Sequence, residues 1–381
     1  MLYTNEINDP GELAGCRLLW KSLLAQTPGA TFFHSLDWLE SYLRHFGSDQ
    51  RLRVLVVRSD DEPIGILPLV VRSERTRLGT ARVLTYPLDH WGVFYGPIGR
   101  QGAATLTAAL QYLRSQPRDW DMVSLRFVHR DGADRGRTQR AMRFVGWQPL
   151  EEPCEHAPSI DLQGSWSDYW AERDGHWRSN VGRSERKLSQ QGEITYVRHR
   201  PAGVAYGDAD PRWDLFETCL DVARRTWQAD VNTGTTLSHP AIEPYLRDAH
   251  EAAARAGGLD LNLLYVDGRP AAFAYNYCYA GHVAGLRMGY DPAVSRHGAG
   301  TVLMRHMLED SFARGDHRFD LGPASLKCKR PWQTSVETSY RYTFFAPNRL
   351  LSQGLRLKSH VKKWFRDGNW MPRQTVGIID E

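Results

Sequence analysis

The stretch from His282 to Trp332, HVAGLRMGYDPAVSRHGAGTVLMRHMLEDSFARGDHRFDLGPASLKCKRPW, constrains the fold more than any other part of the chain. It reads as strand, loop, helix, strand, loop. His282 to Tyr290 mixes apolar and polar residues and stops at Asp291-Pro292, where proline cannot continue a hydrogen-bonded ladder. Ser295-Arg296-His297-Gly298-Ala299-Gly300 then leads into a helix, with Val302, Leu303, Met307, Leu308 and Phe312 recurring at helical steps. Arg314-Gly315 closes it, glycine being free to turn left-handed, and His317 to Leu321 is the next strand. A glycine-rich turn entering a helix presents backbone N–H groups beside the positive end of the helix dipole, which suits an anion such as a pyrophosphate. An ordinary strand–helix turn has the same composition. GxGxxG and GxxxxGK[ST] are both absent, so neither a dinucleotide fold nor a P-loop is supported.

The same order of elements occurs earlier. RVLVVRSDDEPIGILPLVV and NLLYVDGRPAAFAYNYCY are both strand–turn–strand hairpins, and each is followed by a further strand, a helix and a strand. Even the helix entries match, Arg100-Gln101-Gly102-Ala103-Ala104 against Arg296-His297-Gly298-Ala299-Gly300. A chain of 381 residues is long for one domain. We expect two copies of one α/β unit, 1–155 and 156–381, each with a mixed sheet flanked by helices. The alternative is one large mixed sheet with similar hairpins.

Ahead of the first copy, residues 11 to 47 read as helical, with Ser35 as N-cap and Trp38, Leu39, Tyr42, Leu43 and Phe46 as an apolar face. Between the copies, SWSDYWAERDGHWRSNVGRSERKLSQQG predicts a helix over 168–190, made basic by Arg178, Arg183, Arg186 and Lys187. A solvated face explains such a run, and so does a clamp over an acidic or phosphorylated substrate. Arg349 to Arg366 is a basic amphipathic helix, expected to dock on the body of the fold, with an anionic membrane surface as the other role.

A net charge of +4 tolerates an anionic ligand but does not indicate DNA. The five cysteines are scattered and none forms CxxC, so neither a disulfide framework nor a zinc ribbon is expected, and no metal is assigned. A basic region followed by an apolar run is missing from the N-terminus, and no stretch approaches a membrane span, so a reducing cytoplasm is the expectation.

Hairpin, strand with adjacent anion loop, helix and strand is the core order of the GNAT acyltransferase fold, and its tandem use resembles the FemAB-like superfamily. Within it the chain is most similar to CelD/BcsL-type proteins, which carry a BioF2-like acetyltransferase domain. FFHSLDWLESYLRHFG with the first hairpin resembles the family's opening, HWRSNVGRSERKLSQQG its basic central helix, and FDLGPASLKCKRPWQ its closing Asp…Lys…aromatic signature. Two departures stand out. Ser295 takes the first place of the pyrophosphate loop, where Gln or Arg is usual, and Cys328 replaces the aromatic before the signature lysine.

The resemblance implies an acyltransferase that moves an acyl group from acyl-CoA to an amine or hydroxyl of a small-molecule or saccharide acceptor, in polysaccharide or cell-envelope biosynthesis. Arg296, His297, Gly298, Ala299 and Gly300 are the candidates for holding acyl-CoA. Lys329 is the candidate cation for the developing oxyanion or for an acceptor phosphate; a surface lysine beside Lys327 and Arg330 is the plain alternative. Asp320 either orients Lys329, acts as base or caps a strand. Tyr290 is a candidate proton donor to the thiolate or a core tyrosine. Asp89, His90 and Trp91 in the first copy's Gly- and Pro-rich loop, with Arg178 and Trp332, are the candidates for contacting the acceptor. Two other readings remain: aminoacyl transfer from tRNA, as in the Fem branch, and a GNAT pair that binds without turnover. GxSxG does not occur, and no cysteine has an evident histidine partner.

Overall fold

The computed structural model describes residues 1–87, 91–92, 94–226 and 236–367. Strand β1 (Leu2–Ile7) precedes a 3-10 turn, α1 (Arg17–Ala25) and α2 (Leu36–Phe46). Then come β2 (Gln50–Ser59), β3 (Glu62–Thr76), β4 (Gly79–Thr85), α3 (Gly102–Ser115), β5 (Met122–Val128), α4 (Arg137–Phe144) and β6 (Leu150–Asp161). The connection carries α5 (Trp166–Ala171), α6 (Gly175–Ser189), β7 (Ile194–His199), α7 (Trp213–Arg224) and α8 (Glu243–Ala256). The second run of the motif is β8 (Leu259–Val266), β9 (Arg269–Tyr279), β10 (His282–Tyr290), α9 (Ala299–Ala313) and β11 (Arg318–Asp320). A short α10 (Leu326–Lys329), β12 (Ser335–Phe345) and α11 (Leu350–Asp367) follow.

The expected α/β fold with a mixed sheet flanked by helices is what forms. The two sheets, however, are fused: among the described residues they form one sheet of twelve strands, in the order β1-β2-β3-β4-β5-β12-β6-β11-β10-β9-β8-β7. The reason is β12, which pairs antiparallel with β5 on one side and β6 on the other, so that neither unit keeps a free edge at the junction. Residue 155 lies within β6, in the middle of this sheet. The repeat reappears as pairing. In both runs the hairpin's second strand pairs antiparallel with the third strand, and the third pairs parallel with the strand after the helix: β3–β4–β5 and β9–β10–β11.

Local chemistry sets the helix ends. Ser35 caps α2 as expected, its Oγ accepting from Trp38 N at 3.1 Å. The expected single helix over 168–190 is two. Ser165 Oγ accepts from Asp168 N at 3.1 Å to start α5, and Asp174 accepts from Trp177 N at 2.8 Å to start α6, so the chain turns at 172–174. Likewise 11–47 is two helices, each preceded by a 3-10 turn, and is interrupted at Pro28-Gly29, where Gly29 has φ 69°.

Two apolar cores lie against the sheet. The larger involves α1–α4, α7 and α8; the smaller collects Val181, Leu188, Val302, Leu303, Met307, Phe319 and Trp332 under α5, α6 and α9. Buried ion pairs tie edge strand β7 to the second run: Arg198 to Asp260 at 2.8 Å and Arg200 to Asp316 at 2.8 Å. Helix α11 docks through its first turns, with Ser352 buried and Gln353 donating to Ala346 O at 2.9 Å, while Leu350 and Leu357 stay exposed. Among the described residues no helix is long and apolar enough to cross a membrane.

Candidate active site

Strands β10 and β11 run parallel for only three residue pairs, His282–Arg318, Val283–Phe319 and Ala284–Asp320. A bulge between Gly285 and Arg287 then turns β10 away. The strands meet so closely at the last pair that a methyl added at Gly285 would stand 2.8 Å from Asp320 O, and one at Gly322 would stand 3.2 Å from Gly285 O. Glycine is required at both positions, and Gly322 also has φ 77°. Beyond this apex β11 ends while β10 runs on to Tyr290, which leaves a gap beside β10, here called the V, leading toward the start of α9.

Lys329 stands at the apex. The short α10 points its ammonium back, and Nζ donates to Gly322 O at 2.9 Å. Burial and the nearby Arg287 push its pKa down to about 8, far below that of an exposed lysine. Lys327 and Arg330 are exposed, so the three neighbouring cations have different surroundings. The turn carrying Lys329 is pinned by Trp332, whose N–H donates to Lys329 O at 2.9 Å and whose carbonyl accepts from Tyr169 Oη at 2.6 Å. Trp332 is only 4% exposed and packs edge-on against Trp177 at 5.6 Å, so its place is the core beneath the site rather than a wall contacting the acceptor.

Asp320 does not orient Lys329. It is buried, and its carboxylate accepts from His282 Nε2 at 2.6 Å and from Arg318 Nε at 2.8 Å. Burial alone would raise its pKa, but His282 and Arg318 outweigh that and hold it down at about 2. Arg318 continues the network to Glu337, which lies 3.2 Å from His129, and Phe94 stacks on His129 at 4.2 Å. This charged chain passes beneath the apex from β10 to the first unit. Sequence reading missed His282 and Arg287; a side-chain contact such as His282–Asp320, 38 positions apart, leaves no local signal.

The wide end of the V is the turn Pro292–His297 and the first turn of α9. Gly298 is the N-cap with φ 76°, and a methyl there would meet Ser184 Oγ at 2.6 Å. The first amides of a helix have no partner within it and face outward with the dipole. Ala299 is buried in the core, so it holds the turn in place rather than offering a side chain. The backbones of Arg296 and His297 belong to the turn; the Arg296 side chain lies outside the described residues. Tyr290 is 41% exposed and lies over this end, where a methyl at Gly300 would be 3.1 Å from its Cδ1. At about 3.3 Å per residue, Tyr290 sits roughly 15–20 Å along β10 from the apex. It is therefore placed near the α9 entry, away from Lys329.

Of the first unit's candidates, Asp89 and His90 lie outside the described residues. Trp91 is buried and faces the second unit: Arg287 lies over its ring at 4.6 Å, and Tyr245 of α8 meets it edge-on at 6.2 Å. Arg178 is partly buried on α6, the helix whose Ser184 covers Gly298. No group of His, Cys, Asp or Glu able to hold a metal occurs among the described residues.

The parallel pair, the bulge and the helix N-terminus at the open end all lie between residues 175 and 330. Residues 175–330 match the acetyltransferase (GNAT) domain, so the chain carries a domain of that class. No curated protein matches in sequence. Solved structures share the whole fold. FemX aligns at TM-score 0.62 with 11% identity, over 89% of this chain and 97% of its own. A protein of unknown function from Bacteroides thetaiotaomicron aligns at 0.54 and 13%, over 90% and 100%. L-PGS from Bacillus licheniformis aligns at 0.53 and 13%, over 94% and 98%.

Proposed function

We propose that the protein transfers an acyl group from acyl-CoA to an amine or hydroxyl of a small-molecule or saccharide acceptor, with the donor lying in the V between β10 and β11. The observation that carries this reading is the alignment of three features along one strand: helix-start amides at Gly298–Gly300, the gap beside β10, and Lys329 at its apex. The pyrophosphate rests at the α9 entry, and the acyl arm runs inward to the apex. The acceptor's nitrogen or oxygen attacks the thioester carbon, the C–S bond breaks, and the thiolate leaves with a proton. Lys329 meets the negative charge that gathers on the carbonyl oxygen as the bond forms. Asp320, kept ionised by His282 and Arg318, fixes the strand that frames the apex. A role in polysaccharide or cell-envelope biosynthesis, as in CelD/BcsL-type proteins, rests on sequence resemblance alone, and cytoplasmic residence on the sequence's composition.

The fold shared with FemX favours one second reading, in which the donor is an aminoacyl-tRNA. Calorimetric titration with acetyl-CoA, CoA and a charged tRNA separates the two. Under the leading reading CoA species bind the wild type, bind Gly298→Val at least tenfold more weakly, and charged tRNA does not compete. Tight binding of charged tRNA with no affinity for CoA replaces it with the second. Mass spectrometry of small molecules retained on purification identifies the acyl group.

A further inference from the structure

Helix α11 rests on the body of the protein by the side opposite its apolar stripe. At about 100° per residue, Leu350, Leu357 and Val361 fall within roughly 40° of one another. A surface helix ordinarily turns such a stripe into the core. Here it faces outward: Leu350 is 95% exposed, Leu357 67% and Val361 45%. The packed side lies across the helix, with Ser352 buried and Leu355 and Ser359 half-buried. Gln353 fastens the helix by donating to Ala346 O at 2.9 Å. The turn between β3 and β4 extends the apolar surface. A methyl at Gly354 would stand 3.0 Å from Leu78 Cδ1, and Leu78 is itself 52% exposed.

The charge around the stripe points to what covers it. The sequence from Arg349 to Arg366 holds six Arg or Lys and no Asp or Glu. Arg349, at the helix start, lies 3.7 Å from Asp121. Arg356 and Lys358 are exposed on either side of the stripe, and Arg75 and Arg77 are exposed beside Leu78. An apolar line bordered by cations fits the boundary between anionic headgroups and acyl chains, where a helix of this kind lies in the plane of the surface. A second copy docked stripe to stripe would set the same cations against each other.

We propose that α11 and the β3–β4 turn form a docking surface for an anionic lipid membrane. Leu78, Leu350, Leu357 and Val361 enter the headgroup–acyl boundary, while Arg75, Arg77, Arg356 and Lys358 meet lipid phosphates. This surface is independent of the acyl-transfer reading and needs neither CoA nor acceptor.

Co-sedimentation of the full chain with vesicles tests it. The probes are vesicles of phosphatidylcholine alone and of phosphatidylcholine mixed with phosphatidylglycerol. The mixed vesicles should bind roughly tenfold more tightly or better, since each Lys or Arg at an anionic surface adds about fivefold, and the difference should shrink as salt rises. Leu357→Glu should weaken binding to the mixed vesicles by roughly tenfold, with an unchanged melting temperature because the position is exposed. Leu18→Glu, at an exposed leucine on α1, should bind like the wild type. Arg356→Glu combined with Lys358→Glu should abolish the preference for the mixed vesicles. Failure of the wild type to bind mixed vesicles overturns the proposal, and so does undiminished binding by Leu357→Glu. A lipid-free dimer that Leu357→Glu dissociates, seen by light scattering, overturns it in favour of a second copy. Poly-glutamate bound as tightly as the mixed vesicles, with Leu357→Glu unaffected, overturns it in favour of an acidic protein.

Discussion

The ammonium of Lys329 is bonded to the carbonyl of Gly322, 2.9 Å away, at the point where two parallel strands part. That bond fixes the charge at the apex of the V without neutralising it, since a neutral carbonyl is the acceptor. A lysine held so should matter for rate more than for binding. Lys329→Met is expected to lower kcat roughly a hundredfold to a thousandfold with little change in KM. Lys327→Met and Arg330→Met, both exposed positions, should stay near wild type. Equal small losses at all three, measured as CoA release, would reduce the segment to a basic surface.

The same ammonium titrates in an accessible range. Burial and Arg287 bring its pKa to about 8, so its charge is present below that pH and disappears above it. If the cation is the active form, kcat falls as pH rises through about 8. A rate that climbs through the same range would make the neutral amine the active form, acting as a base.

Asp320 predicts acid sensitivity. Its pKa is lowered from 3.8 to about 2, so the stabilisation it gives is complete above pH 4 and is lost as pH falls through about 2. The amount is roughly 2 kcal/mol. Asp320→Asn should remove that part of the acid limb and cost about 3–5 kcal/mol near neutrality, because Arg318 and His282 keep their burial without their shared carboxylate. Chemical denaturation at pH 2 to 7 measures both, and unchanged stability in the variant would contradict the buried network.

Gly298→Val places a β-branched residue at φ 76° and drives its side chain into Ser184. Backbone strain of this kind costs on the order of 1–3 kcal/mol. Shortening the obstructing side chain with Ser184→Gly should return part of the melting temperature but not CoA affinity, because the branched side chain still stands beside the helix-start amides. Recovery of both would mean the loop acts only through stability.

Trp332→Ala gives the contrasting case. The indole is buried with Trp170 and Trp177, so its loss should cost about 3–5 kcal/mol. Any fall in turnover should then follow the melting curve, and the folded fraction should keep its CoA affinity.

The elements that sequence made legible are those with local signals. Leu259–Val266 and His282–Tyr290 are strands with the bounds their alternation and turns indicate, and Ser35 caps the helix it was expected to cap. Strands β1, β7 and β12 and helices α7 and α8 went unread; for Ser335–Phe345 the reason is that its partners lie more than a hundred residues away. The site divides the same way. Gly298 and Lys329 belong to a continuous motif, whereas Arg287 over Trp91 and His282 against Asp320 exist only once a bulge and a parallel pairing are in place. Trp332 was legible as a signature residue but not as a core one, since burial depends on Trp170 and Trp177 arriving from another helix pair.

The insertion of β12 between β5 and β6 carries a consequence for synthesis. Residues 122–128 and 150–161 leave the ribosome long before 335–345, yet each waits for that late strand as its neighbour. Throughout that interval the nascent chain displays two open β-edges at its centre, the kind of surface that recruits other strands. Completion of the sheet therefore waits until Ser335–Phe345 has emerged. A ribosome stalled before Ser335 should yield a species that chaperones hold and proteases cut, however well its first hairpin has formed.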